Sequence, residues 1–243
     1  METKKCNQDK PEWQYDEMKL CGVKFDRDEC ADKYDEHHQN FRDYKKEADE
    51  RIKLLSLDRN STIIDMGCGT GAFAINAAAY FRKIYAADVS NAMIKLTRKK
   101  AKEAGIDNIE FHHGGFLTYK HNDESVDGIV STLALHHLPD FWKQIALTRL
   151  IKMLKPGGKY LLFDIVFSFD ITNYESCVQE YINTMVSRLG EVLRQELETH
   201  FRQEYSTFDW VMEGMLERAG FDIKKADYME GFFANYVCEK KAE

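Results

Sequence analysis

Two carboxylates and three glycines stand where a small charged ligand could be held: Asp65 and Asp88, with Gly67, Gly69 and Gly71 and the intervening Cys68. The run Ile63-Ile64-Asp65-Met66-Gly67-Cys68-Gly69-Thr70-Gly71 ends an apolar strand in a loop that opens a helix. Glycines let such a backbone bend sharply and let a ligand approach the main chain, while the amides of the helix's first turn point outward without partners. That arrangement suits a nucleotide-like cofactor. Asp88 follows 21 positions after Gly67, the distance at which a second strand presents a carboxylate to a ribose.

Gly67, Gly69 and Ala72 also satisfy the dinucleotide pattern G-x-G-x-x-G/A. Asp65 decides between the readings, because a carboxylate two residues before the first glycine would face a pyrophosphate, anion against anion. A ligand with a positive sulfonium, an amino group and no phosphate suits the acidic rim, and S-adenosylmethionine (SAM) is such a ligand. Methyl transfer from SAM is a displacement at the methyl carbon. The protein must add alignment, exclusion of water and, for an acceptor that bears a proton, a base. His136 and His137 follow the fourth strand at the carboxyl edge of the sheet, where such folds bind ligands. Adjacent residues on a turn face different ways, so at most one of them acts as a base; otherwise the pair is local structure. The six cysteines form no C-x-x-C pair and have no histidine at zinc spacing, so free thiols and no metal are expected.

The chain resembles the class I SAM-dependent methyltransferases, and among them the small single-domain enzymes similar to the ubiquinone/menaquinone type. The match runs roughly from Tyr34 to Lys240 and rests on ordered motifs. They are Ile64 to Gly71, Ala87-Asp88-Val89-Ser90-Asn91-Ala92-Met93, Asn108-Ile109-Glu110-Phe111, Val126-Asp127-Gly128-Ile129-Val130-Ser131, Leu135-His136-His137-Leu138 and Leu154-Lys155-Pro156-Gly157-Gly158-Lys159-Tyr160. The resemblance implies SAM as cofactor and S-adenosylhomocysteine as product. It implies that the backbone at Gly67, Cys68, Gly69 and Gly71 passes under the methionine and ribose, and that Asp65 stands near the amino group or else only orders the loop. Asp88 would accept both ribose hydroxyls, Val89 or Met93 and the turn at Gly115 and Phe116 would enclose the adenine, Ser131 would touch SAM through its backbone, and Tyr34 would close over the cofactor. One departure stands out. Related enzymes commonly carry a Gly-Asp pair whose carboxylate takes the adenine amino group, and this chain has Gly114-Gly115-Phe116. Losing one neutral hydrogen bond costs only about 1 kcal/mol, so binding survives.

The elements that must position these residues follow from pattern. Apolar, β-branched runs predict strands near 62–66, 83–87, 108–112, 126–131, 159–166, 221–227 and 232–239, with helices between the first five. Strands alternating with helices imply an α/β fold: a three-layer, Rossmann-like, seven-stranded and mostly parallel sheet. The resemblance makes its last two strands an antiparallel hairpin at the edge. Residues 1–55 read as an arm and cap with a helix from Asp32 to Leu55, and 56–243 as the SAM-binding domain with a helical insertion at about 168–219. Within that insertion Tyr174, Cys177, Tyr181, Met185, Leu189, Val192, Leu197 and Phe201 form an apolar helical stripe, read as packed helices and not a floppy loop. Tyr205, Phe208 and Trp210 read as pocket wall or core.

With 243 residues and 44% hydrophobic content, the chain can bury one enzyme-sized core. A net charge of −7 with no basic run argues against a nucleic-acid partner, and no apolar run reaches membrane-spanning length. The polar start carries no signal-peptide core, which predicts a cytoplasmic protein, monomer or homodimer. No Asp/Asn-Pro-Pro-aromatic tetrapeptide follows strand four, where Ser131-Thr132-Leu133-Ala134 stands. A small-molecule acceptor at O, N, S or C is therefore expected. RNA or protein acceptors, or a SAM-binding sensor without turnover, are the alternatives.

Overall fold

The structure is a computed structural model and describes residues 11–19, 21–22 and 42–241. Tyr34, His38, Cys6 and Cys30 lie outside the described residues. Eight strands form one sheet: β1 (Thr62–Met66), β2 (Lys83–Asp88), β3 (Ile109–His113), β4 (Val126–Thr132), β5 (Leu154–Phe167), β6 (Thr207–Phe208), β7 (Phe221–Met229) and β8 (Phe233–Lys240). Their order is β3-β2-β1-β4-β5-β8-β7, with the short β6 pairing β5. β1 to β5 are parallel, and β8 runs antiparallel to both β5 and β7.

All five residues of β1 are buried, as a parallel strand covered on both faces requires. The covering helices are α1 (Tyr44–Leu55), α2 (Ala72–Ala77), α3 (Asn91–Glu103), α4 (Asp140–Met153), α5 (Tyr174–Leu189), α6 (Leu193–Gln203) and α7 (Asp209–Ala219). One core cluster runs through Ile64, Met66, Ile129, Leu147 and Tyr160, and a second, on the other face, through Leu55, Ile63, Phe73, Ile84 and Leu161. Successive residues of β1, Ile63 and Ile64, fall into opposite clusters because strand side chains alternate. Successive strands are laid down outward in opposite directions from β1 and β4, and that switch opens a crevice beyond their carboxyl ends, where Gly67 and Leu133 lie.

Three expectations need correction. The helix read from Asp32 to Leu55 starts only at Tyr44 among the described residues: residues 42–43 are not helical, and Asp43 caps α1 by accepting the Lys46 amide at 3.0 Å. Asp140, which follows Pro139 and reads from the sequence as the cap of a helix running to Leu154, lies instead inside the first turn of α4, with Pro139 at the N-cap, and pairs with Lys143. β5 starts at Leu154, five residues early, because Leu154 already pairs with Val126. The insertion is helical, as its stripe predicts, in α5 and α6. Of these two helices only Ile182 and His200 are buried, and Tyr181, Met185, Leu189 and Leu197 line a cavity.

Candidate active site

The crevice is built first by backbone geometry. Gly67 has φ of 76°, its amide and that of Cys68 both donate to Ala87 O at 2.8 and 3.0 Å, and a Cβ there would sit 2.4 Å from Ala134 Cβ. Gly69 has φ of 51° and faces open space, so the loop presents bare main chain to the cavity. Asp88 ties the loop to the next helix: Oδ2 accepts from Gly69 N at 2.8 Å and Oδ1 from Ser90 N at 2.7 Å. Ser90 in turn caps α3 through Met93 N at 3.2 Å. Burial raises the Asp88 carboxyl against the pull of these two amides.

Asp65 is 2% exposed, and its Oδ2 has no hydrogen-bond partner among the described residues. Burial pushes its pKa up to about 7, with the Asp88 charge adding to the shift and the Ala74 amide and Arg51 opposing it. A buried carboxylate oxygen without a donor is costly unless a ligand supplies one.

These residues line a single cavity together with Cys68, Val89, Met93, Gly115 and Phe116. Gly71, Ser131 and His136 do not line it. Gly71 is the N-cap of α2 and faces Thr97 and Ile75, where its φ of 82° and a 2.4 Å approach to Thr97 Cγ2 exclude a side chain. Ser131 is fully buried within β4, and the wall is made by Thr132, Leu133 and Ala134 after it. Leu133 carries φ of 52°, a left-handed conformation rare for a branched side chain, and its amide is held by Phe163 O at 2.8 Å. Opposite, in the turn after β3, the place left vacant by Gly115 is taken from afar. Glu17 is buried, accepts from Leu117 N at 2.9 and 3.0 Å and from Thr118 N at 2.6 Å, and its Oε2 lies 2.7 Å from where a Gly115 Cβ would stand.

A second cavity, of about 510 Å³, joins the first through Arg42, Glu47, Arg51, Leu133 and His137. Its walls are largely apolar, from Phe163, Ile165, Tyr181, Met185, Leu189, Leu197 and Phe233, and its polar floor is His136, His137, His200 and Glu204. Arg42 is drawn into an ion pair with Glu47 at 2.6 Å, which Arg51 shares at 3.3 Å. Tyr205, Phe208 and Trp210 line neither cavity; Trp210 is 69% exposed and Phe208 packs against Phe167.

A glycine loop under one cavity and an apolar chamber joined to it are what a cofactor-dependent group transfer requires, and known proteins agree. A family profile described as a methyltransferase domain matches residues 63–158. The demethylmenaquinone methyltransferase of Listeria welshimeri is 25% identical over 201 residues, covering 82% of this chain and 80% of that protein. The protein is a SAM-dependent methyltransferase, similar to the class I enzymes. Among solved structures, a SAM-dependent methyltransferase from Clostridium acetobutylicum shares the fold of this methyltransferase with a TM-score of 0.65 at 14% identity, over 88% of this chain and 98% of that one. The magnesium protoporphyrin IX methyltransferase of Synechocystis, solved with bound SAM, gives 0.56 at 14% identity, over 82% and 80%. No helix among the described residues is long and apolar enough to cross a membrane.

The two histidines of the methyltransferase occupy different settings. His136 is buried, its Nδ1 is 2.5 Å from Asp164 Oδ1 and its Nε2 is 3.4 Å from Glu204 Oε2. Burial opposes its charge, but the Asp164 and Glu204 carboxylates outweigh burial and raise its pKa to about 9. His137 keeps about a third of its side chain open (32%) and stands at the junction of the cavities, held below the ordinary histidine range by its surroundings and the neighbouring His136 charge. Sequence reading missed Glu17, Asp164, His200 and Glu204. Asp164, inside Leu161-Leu162-Phe163-Asp164-Ile165-Val166, carried a signal, since a charge in a buried strand demands a partner; His200 and Glu204, four apart in sequence, carried a weaker one. Glu17, about a hundred residues from its turn, carried none.

Proposed function

We propose that this methyltransferase moves the methyl group of SAM onto a small, largely apolar molecule bearing an acidic hydroxyl or ring position, bound in the second cavity. The junction at Leu133 and His137, where the cofactor cavity opens into an apolar chamber of about 510 Å³, carries the reading. The relatives named for demethylmenaquinone make a quinol-like ring the first acceptor class to try. The acceptor's electron pair bonds to the methyl carbon as the carbon–sulfur bond breaks, the electrons of that bond pass to sulfur to give S-adenosylhomocysteine, and the acceptor's proton passes to solvent water. His137, facing both cavities, is the histidine that meets the acceptor; His136, wedged between carboxylates, positions it.

In the cofactor cavity, Asp65 takes the amino group of SAM, the main chain of Gly67, Cys68 and Gly69 underlies the methionine and ribose, and Asp88 accepts the ribose hydroxyls. Gly71 acts by permitting the start of α2, and Val89, Met93 and Phe116 enclose the adenine. The four described cysteines are free thiols, which agrees with a reducing, cytoplasmic setting. The test is production of S-adenosylhomocysteine from SAM with a panel of hydroquinones, catechols and simple phenols beside tRNA and protein substrates. Turnover with a ring acceptor is expected. Methylation confined to the macromolecules, or none anywhere, overturns the reading.

Glu17 supplies the carboxylate that the turn at Gly115 lacks, reaching the adenine amino group from the N-terminal arm. S-adenosylhomocysteine is therefore expected to bind about 5–10-fold more tightly than its inosine analogue, which lacks that amino group. Glu17→Gln, which can still cap the Leu117 and Thr118 amides through its oxygen, is expected to erase the preference. An unchanged preference in calorimetric titration removes Glu17 from base recognition.

A further inference from the structure

The polar floor of the acceptor cavity has the arrangement of a metal site. One ring nitrogen of His136, one of His137 and a Glu204 carboxylate oxygen all lie within 4.8 Å of one another. They arrive from two remote segments: the histidines from the turn after β4, and Glu204 from the end of α6, fixed there because Tyr205 N donates to His136 O at 2.9 Å.

Glu204 is hydrogen-bonded by His200, but the other two histidines stand farther from it than hydrogen bonds require. Between a histidinium and a carboxylate, donor and acceptor normally approach to about 2.7–2.9 Å. His136 Nε2 instead stands 3.4 Å from Glu204 Oε2, and His137 Nδ1 stands 4.0 Å from Glu204 Oε1. Bonds of about 2.0–2.1 Å from nitrogen and oxygen to one tetrahedral ion put ligand atoms about 3.3 Å apart, so the first spacing already fits, and the second, to the other carboxylate oxygen, requires His137 to close on the ion.

The surroundings are those of a ligand set. Asp164 holds His136 twice, at the backbone N (3.0 Å to Oδ2) and at Nδ1 (2.5 Å to Oδ1), which leaves Nε2 directed at Glu204. A carboxylate behind the distal nitrogen of a ligating histidine fixes its tautomer and raises its basicity. His200 Nδ1 contacts Glu204 Oε2, and Ser206 Oγ holds His200 Nε2 at 2.9 Å. Gly22 lies so close to Glu204 that a Cβ there would overlap the carboxylate. Cys21 Sγ touches His137 Nδ1 at 3.6 Å but falls outside the three-ligand group.

We propose that His136, His137 and Glu204 bind one divalent transition metal, Zn(II) by donor type, with a coordination position open to the second cavity for an oxygen of the acceptor. Two imidazoles and one carboxylate with a free place are the donor set of zinc sites that act on substrates, and the same cavity is lined by all three residues. The acceptor-holding part rests on the function proposed above; the metal site itself does not.

The test uses the full chain, stripped with a chelator and titrated with Zn(II) or Co(II) alone. One equivalent is expected to bind, with Co(II) showing the visible bands of a four- or five-coordinate ion. Glu204→Gln and His137→Ala are each expected to weaken binding by more than about tenfold, as is Asp164→Asn acting through His136, while S-adenosylhomocysteine affinity in Glu204→Gln stays at the wild-type level and certifies the fold. Binding below one equivalent, or binding undisturbed in both ligand variants, overturns the site. If the metal binds as expected and a ring acceptor is methylated equally well after chelation, the site stands and its role in holding the acceptor fails. Stoichiometric metal binding without turnover of any acceptor supports the site and counts only against the proposed function.

Discussion

Asp65→Asn is expected to make the ligand-free methyltransferase more stable at pH 8 and to weaken its binding of SAM at the same time. The native carboxyl titrates near 7, where an unfolded aspartate titrates near 3.8, so the folded chain holds a proton that the unfolded chain has released. Stability is therefore fully present below the unfolded value and falls as the pH rises towards 7. The shift of about three units corresponds to about 4 kcal/mol at pH 8, an upper figure for what an uncharged side chain would recover. Asparagine should raise the thermal midpoint by several degrees, since about 1 kcal/mol moves a chain of this size by about 2–4 °C. It should also lower SAM affinity by about 10–100-fold, because the buried Oδ2, which has no partner among the described residues, is the group assigned to the cofactor's ammonium. In the wild type, affinity should fall about tenfold per pH unit below 7 as the carboxyl protonates, with Asp88 and Arg51 the charged groups beside it. A variant that loses stability without losing affinity, measured by differential scanning fluorimetry and calorimetric titration, would assign Asp65 to ordering the loop.

Asp88→Ala should weaken SAM binding by about 1–3 kcal/mol, roughly 5–150-fold. Two losses combine. The ribose hydroxyls lose an acceptor of matching planar geometry, and the amides of Gly69 and Ser90 lose the carboxylate that clamps the loop to α3. Asp88→Asn separates them, because one amide oxygen can still accept from a backbone amide while the charge is gone. The asparagine variant is expected to keep most of the thermal stability lost in the alanine variant and to regain only part of the affinity. Affinity unchanged in both variants rules Asp88 out as a ribose ligand.

Much of the sheet was legible in the chain. β1, β2 and β4 fall within two residues of their expected spans, because a buried parallel strand is a largely apolar run and needs no distant partner to be read, and the antiparallel pair β7 and β8 does so too. β6 was not legible: two residues, Thr207 and Phe208, give no period, and they become a strand only where β5 passes beside them. The stripe on α5 and α6 was legible as apolar but not as a cavity wall, since periodicity reports which face is hydrophobic and not whether another element covers it.

The division at the site has the same cause. The sequence by itself brought Asp65, Gly67, Gly69 and Asp88 to one cavity, because they lie on one strand–loop–helix–strand unit whose local backbone holds them together. Only the tertiary structure decided the other end. Glu17 reaches the turn at Gly115 across about a hundred residues, and Asp164 and Glu204 meet His136 across 28 and 68. Such contacts depend on how the arm, β5 and the insertion pack over the crevice, and long-range packing leaves no period or spacing in the chain to read.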